Sequence, residues 1–290
     1  GYLATCIKHI GQVKLNKLTG IHLQKMYADL SQTHKPSSIY TIHGIIKTAL
    51  KSAIRWKRMA HNPCDDIDAP GSAQHNERPI LEEDQAKALL NAAQGTPIEC
   101  FLIMALTTGM RRGEMLGLRW SDINMEGKVL KVQRTASYIK LTGETYSFVE
   151  TTPKTQSSRR SILLTDFLIS ALKAHKKKQL EARLQAGQEW VNKDLVFCNQ
   201  VGEHFAINQL TTQYRKLLQE CCLPRLHIHD LRHSAATLLA SMKVPIKVIQ
   251  EILGHSSIVV TQDIYGHVID KMQEEATYKM NDLFKENGTN

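Results

Sequence analysis

The chain has no apolar run approaching the roughly 18 residues of a membrane span. Its N-terminus shows no basic, apolar, small-residue signal pattern either. These two absences lead us to expect a cytoplasmic protein. Cysteine is sparse. The six thiols, at positions 6, 64, 100, 198, 221 and 222, form no CxxC pair and have no histidine partner at zinc-ligand spacing, so they read as reduced side chains rather than a metal or disulfide framework. Internal repeats are absent. Aromatics make up only 6% of the chain and include no RNP-type motif, which argues against an RNA-binding module. The single charge run, Lys176-Lys177-Lys178, lies in a helical pattern and reads as solvated surface.

What the chain does have is a cationic excess: 37 Lys and Arg against 28 Asp and Glu, a net charge of +9, which suits a polyanionic partner such as nucleic acid. Its 42% hydrophobic and 22% charged residues are those of a folded protein, and 290 residues suffice for two cores. The opening Gly1-Tyr2-Leu3 lacks a Met and falls inside an amphipathic segment, so upstream sequence is expected to have been removed.

Two amphipathic helices are predicted first, one carrying Leu23, Met26, Tyr27 and Leu30, the next Ile39, Ile42, Ile46, Ala49, Leu50 and Ala53. Lys47, Lys51, Arg55, Lys57 and Arg58 crowd this region, either as a solvated face or as a track for phosphates. Asn62-Pro63, Asp65-Asp66 and Pro70-Gly71-Ser72 then break the pattern. The expected division is an all-helical unit over 1–70, a linker over 71–78 and a second unit over 79–290. In the latter, helices are predicted over 97–108, 166–180, 207–218, 231–241 and 245–253, with a short one leading into Tyr265. Gly109 is a left-handed stop, and β-like runs at 129–133, 145–151 and 161–164 suggest one small antiparallel sheet.

Three segments carry chemistry. In Thr108-Gly109-Met110-Arg111-Arg112-Gly113-Glu114 an apolar helix ends at a glycine and presents a guanidinium, with a carboxylate three residues on that can hold it. In His227-Ile228-His229-Asp230-Leu231-Arg232-His233, His229 and Arg232 are three apart, a spacing that puts an imidazole and a guanidinium on one helix face. Leu253-Gly254-His255-Ser256-Ser257 is a helix stop with a histidine at the turn, and Asp263-Ile264-Tyr265-Gly266-His267 follows. A phenol ionises near pH 10, so Tyr265 becomes a nucleophile only among cations or beside a base. Tyr40, Tyr214 and Tyr278 lie in helical patterns without flanking glycine or histidine and read as core or surface. Met115, Leu116, Leu118 and Trp120 read as packing, and His233 and His267 as structural.

TGMRRGE, HDLRH, LGHSS and DIYGH, in this order and spacing, resemble the signature boxes of the tyrosine recombinases, the phage and conjugative-transposon integrases. The resemblance is strong over about 79–270 and looser before it. It implies a mainly α catalytic domain with a small antiparallel β-sheet, an α+β domain, joined to an all-α N-terminal core-binding domain as a C-shaped clamp around DNA. It implies that Arg111 and Arg232 hold the nonbridging oxygens of a scissile phosphate, that His229 accepts or shares the tyrosine proton and that His255 donates to the phosphate. Tyr265 is then the nucleophile, and Glu114 a support that orients Arg111 or a neighbour. The family's β-turn lysine, the general acid, matches Lys154 in Pro153-Lys154-Thr155-Gln156; Arg159 and Arg160 are weaker alternatives because guanidinium is a poor proton donor.

The implied reaction runs through a 3′-phosphotyrosyl link and a four-way junction and needs no metal, cofactor or ATP. Its partners would be double-stranded DNA at element ends and target sites and three further copies of the chain in a tetramer, with Leu283 and Phe284 in the segment 276–285 anchoring on a neighbour. An excision factor and a host DNA-bending protein complete the expected set. The DIYGH box favours an integrase that integrates and excises a mobile element over a Xer-like resolvase. A topoisomerase of type IB and a non-catalytic DNA-binding protein are the other readings. Val259-Val260 stands where relatives often carry Ser or Thr, and an arm-type DNA-binding domain is expected upstream.

Overall fold

The computed structural model describes residues 1–68, 79–140, 146–152 and 159–254. The expected linker 71–78, Lys154, His255, Tyr265, Tyr278 and the segment 276–285 lie outside the described residues. The chain divides into two compact units, Gly1–Glu77 and Arg78–Asn290.

Unit one is helical where described: α1 (Tyr2–Ile10), α2 (Gly20–Ser31) and α3 (Pro36–Arg55), followed by a 3₁₀ turn at Pro63–Asp65. Leu23, Met26, Tyr27 and Leu30 of α2 meet Ile39, Ile42, Ile46 and Leu50 of α3 in one core that also takes in Cys6 and Cys64. The 3.6-residue period thus buries the stripes it predicts, except that Ala49 is exposed and the core takes His43 instead. His43 is tolerated because Nδ1 lies 3.1 Å from the Tyr27 hydroxyl, and burial depresses its basicity so that it stays neutral. Lys51, Arg55, Lys57 and Arg58 are solvent-exposed, while Lys47 pairs with Asp65 at 2.8 Å.

Unit two is organised around α5 (Glu99–Thr108), whose Cys100, Phe101, Leu102, Ile103, Met104, Ala105, Leu106 and Thr108 are all buried. A helix apolar on every side has to be central. It packs on α4 (Glu83–Ala92), α7 (Asp166–Ala186), α9 (Asp230–Ser241) and the short α6 (Arg112–Leu116), while α8 (Ile207–Glu220) lies on α4 and α10 (Ile246–Leu253) on α9. Met115, Leu116 and Leu118 are core, Trp120 is partly buried against it, and Lys176, Lys177 and Lys178 are exposed. Tyr214 is buried in this core, and Tyr40 of unit one is exposed.

The expected single sheet is two. β1 (Ile123–Asn124), β2 (Val129–Val132) and β5 (Arg160–Leu163) form one antiparallel sheet in the order β1-β2-β5, and β3 (Thr135–Lys140) pairs with β4 (Tyr146–Thr151) in a separate hairpin. The ladder breaks after Val132, where Arg134 forms an ion pair with buried Asp122. The hairpin has its own adhesive: Tyr138 stands opposite Phe148 with ring centroids 4.9 Å apart, and Phe148 stacks on His204 at 4.4 Å. Thr135-Ala136-Ser137 has too little apolar content to read as a strand beforehand.

One long-range bond ties the start of unit two to its core. The Leu81 amide donates to Ser234 Oγ at 2.9 Å, and that hydroxyl donates in turn to the Asp230 carbonyl at 3.1 Å. Ser234→Ala strands the buried Leu81 N–H, so stability is expected to fall by about 1–3 kcal/mol in urea unfolding. A loss below about 0.5 kcal/mol would mean that the amide finds another acceptor.

Candidate active site

The site is assembled at two helix ends. α5 stops at Gly109, which sits in the left-handed region at φ 59°, and α10 stops at Gly254 at φ 67°. At Gly109 a Cβ would also run into Leu253 Cδ2, so the two stops are pressed together and a side chain is excluded. A helix end leaves carbonyls without intrahelical donors and carries partial negative charge, which invites cations.

Three arginines accept the invitation on three consecutive carbonyls. Arg160 Nε donates to Ile252 O at 2.7 Å, Arg232 to Leu253 O at 2.7 Å and Arg111 to Gly254 O at 3.3 Å. Arg232 also donates to Gly109 O at 2.8 Å, so one guanidinium caps both helices. Although on α9, it is only 3% exposed, which is possible because the carbonyls solvate it.

Arg111 is the N-cap of α6, and Glu114 lies one turn on. Glu114 is 2% exposed and accepts four bonds. Arg111 supplies its amide at 2.9 Å and a guanidinium N–H at 2.8 Å, and Arg160 supplies two guanidinium N–H at 3.2 and 3.0 Å. Burial pushes the carboxyl pKa up, but the bonds and charge of Arg160, joined by those of Arg111, outweigh it and hold Glu114 below its ordinary value. The Arg111 side chain remains 36% exposed. Among the described residues it uses two of its five N–H groups, leaving donors that can face an anion.

His229 is the N-cap of α9 and exposed, set there by a turn in which the Asp230 carboxylate accepts the His227 amide at 2.7 Å. Its ring meets buried His233 edge-on at 5.5 Å. Arg111 and Arg232 are therefore brought to adjacent carbonyls, and His229 lies one turn before Arg232 on the same element. Lys154, His255 and Tyr265 fall outside the described residues, although His255 directly follows the Gly254 carbonyl in the chain. Arg159 is exposed, but Arg160 is turned inward, its side chain only 7% exposed. Sequence reasoning missed this inward role. The signal was the period of two, since Arg160 is in phase with buried Ile162 while Ser161 and Leu163 face out.

Such an arrangement can hold an anion and stabilise charge that develops on it. It also makes Glu114 a buried charge whose removal leaves two cations uncompensated. Glu114→Gln is expected to lower stability at pH 7 by about 3 kcal/mol or more. Because the folded-state pKa is depressed, this contribution is present above about pH 4.5 and fades as pH falls through the folded value. Thermal midpoints of wild type and variant should therefore converge in acid; a gap that is constant with pH would contradict the charge argument.

The model of the phage integrase family matches residues 79–272 of the chain. A tyrosine recombinase XerC-like protein of Caldanaerobacter subterraneus subsp. tengcongensis is 34% identical over 285 residues, covering 94% of this chain and 73% of that protein. An integrase of Streptomyces ambofaciens is 27% identical over 286 residues, covering 96% and 72%. In fold, the chain is similar to the Tn1549 transposon integrase solved in complex with a circular intermediate DNA, with a TM-score of 0.73, 19% identity and coverage of 91% of this chain and 93% of that one. With a family match over more than half its length and a relative above 30% identity, the chain belongs to the phage integrase family and is a tyrosine site-specific recombinase.

Proposed function

We propose that the chain integrates and excises a mobile element by cutting and rejoining duplex DNA through a covalent link to Tyr265. The observation that carries the reading is the meeting of Arg111 and Arg232, 121 positions apart in the chain, on the neighbouring carbonyls of Gly254 and Leu253. Two fixed guanidiniums suit the two nonbridging oxygens of one phosphate, and removal of one such donor typically costs about 3 kcal/mol of transition-state stabilisation.

In this mechanism the Tyr265 oxygen attacks phosphorus and displaces the 5′ oxygen, leaving a 3′-phosphotyrosyl bond and a free 5′ hydroxyl. His229 takes or shares the phenol proton, His255 donates to the phosphate, and Lys154 protonates the departing oxygen. A 5′ hydroxyl of the partner strand then attacks the link, expels the tyrosine and reseals the backbone, so the bond energy never leaves the chain of transesterifications. A second pair of exchanges resolves the four-way junction.

The helical unit, about 1–70, would bind the core DNA site, and 79–290 would carry the chemistry, with 71–78 joining them. The exposed cations Lys51, Arg55, Lys57 and Arg58 support the first assignment by offering charge to phosphates. Double-stranded element ends and target sites, a homotetramer on DNA, an excision factor and a host bending protein are the partners of this reading, in the cytoplasm. No helix among the described residues is long and apolar enough to cross a membrane.

The test is a suicide duplex from the element's ends, nicked near the crossover. Wild type should yield a protein–DNA adduct that survives denaturation, Tyr265→Phe should bind without forming one, and Arg111→Lys should form it slower by on the order of 100-fold. Binding by wild type without any adduct would favour a non-catalytic DNA-binding protein.

A further inference from the structure

Arg160 has no part in the proton or phosphate steps proposed above, yet its side chain is among the most committed in the site. Its fork takes both oxygens of Glu114, at 3.2 and 3.0 Å, while Nε takes the Ile252 carbonyl at 2.7 Å. The same two Glu114 oxygens also accept from Arg111, and Arg111 reaches the Gly254 carbonyl two residues beyond Ile252. Arg160 and Arg111 are thus joined twice, through a buried carboxylate and through one helix end. Nothing else among the described contacts of Glu114 offers a cation.

We infer that Arg160 is a positioning residue for strand cleavage: by locking Glu114 and the end of α10, it fixes the direction in which the Arg111 guanidinium meets the scissile phosphate. Geometry supports this over direct phosphate contact. All three nitrogens of the Arg160 guanidinium already donate, two of them to the Glu114 carboxylate that neutralises its charge, whereas Arg111 uses two of its five N–H groups among the described residues. Lysine cannot do the same work, because an ammonium is a point donor that cannot span two carboxylate oxygens and a carbonyl in one plane. A small misdirection of a phosphate-binding group is enough to slow a reaction 100-fold. Without Arg160 the Glu114 carboxylate would be bonded only within its own turn of α6; with Arg160 it is tied to β5 as well.

The inference rests on the proposed cleavage reaction, and a double-mutant cycle on the full chain tests it. The cycle uses wild type, Arg160→Met, Glu114→Gln and the double variant with the same nicked suicide duplex, and follows adduct formation at saturating DNA alongside Kd. We expect Arg160→Met to slow cleavage by on the order of 100-fold while Kd stays within about threefold, because positioning acts on the reacting geometry and not on affinity. In the Glu114→Gln background the same substitution should cost distinctly less, about tenfold or under, because the carboxylate route to Arg111 is cut and only the bond to the end of α10 remains.

Equal losses with and without Glu114 would overturn the inference, as would a rise in Kd matching the loss of rate. Cleavage by Arg160→Met at the wild-type rate would do the same. Should the methionine variant not fold, Arg160→Lys decides in the folded protein: cleavage slowed about tenfold or more at unchanged Kd supports positioning, and wild-type cleavage refutes it. Absence of an adduct from wild type would instead indict the cleavage reading itself.

Discussion

The C-terminal turn of α10 presents three carbonyls in a row that its own helix cannot satisfy, and the candidate site is built from the side chains that answer them. Each answer comes from a different part of the chain: β5 through Arg160, α9 through Arg232, the α6 cap through Arg111. Because Arg232 also serves the end of α5, the central helix of the core and the arginine cluster at the end of α10 share one side chain. The positions of these cations follow from backbone hydrogen bonding before any ligand is considered. A ligand anion then meets guanidiniums whose orientation is already settled, which is what preorganisation requires.

Stability alone does not call for such a corner. A buried Arg–Glu–Arg set can often be replaced by apolar side chains of similar volume with no loss, since desolvating three charges offsets much of their attraction. Its value is directional. Four bonds on Glu114 leave its carboxylate one orientation, and the two arginines it touches inherit that restraint. The left-handed glycines at 109 and 254 serve the same end, letting the carbonyl-bearing turns approach closely enough for one guanidinium to bridge them.

The helices and the TGMRRGE and HDLRH segments were legible because their signals are local. Leu23, Met26, Tyr27 and Leu30 repeat at helical spacing, Gly109 marks a stop after an apolar run, and Arg111 with Glu114 are one turn apart. The family resemblance added roles that spacing could not supply. What escaped was non-local. The hairpin β3–β4 depends on Phe148 finding His204, and its first strand opens on Thr135-Ala136-Ser137, which has no apolar alternation. Arg160 was legible as a cation near a turn but not as a partner of Glu114, 46 positions earlier, because only the closing of β5 against α10 makes them neighbours. Ala49 was expected in the core and is exposed, while His43 is buried, the hydrogen bond to Tyr27 offsetting the burial of its ring.

The double capping by Arg232 has a consequence for how such a protein decays over generations. A substitution there removes the partner of two helix ends at once, so a chain that loses this cation loses fold stability as well as any part the cation plays in the proposed reaction. In a cell, destabilised chains are thinned by proteases, and a drop of one or two kcal/mol already changes abundance severalfold. A gene copy that lost Arg232 would then tend to vanish from the protein pool rather than persist as a folded, inactive chain.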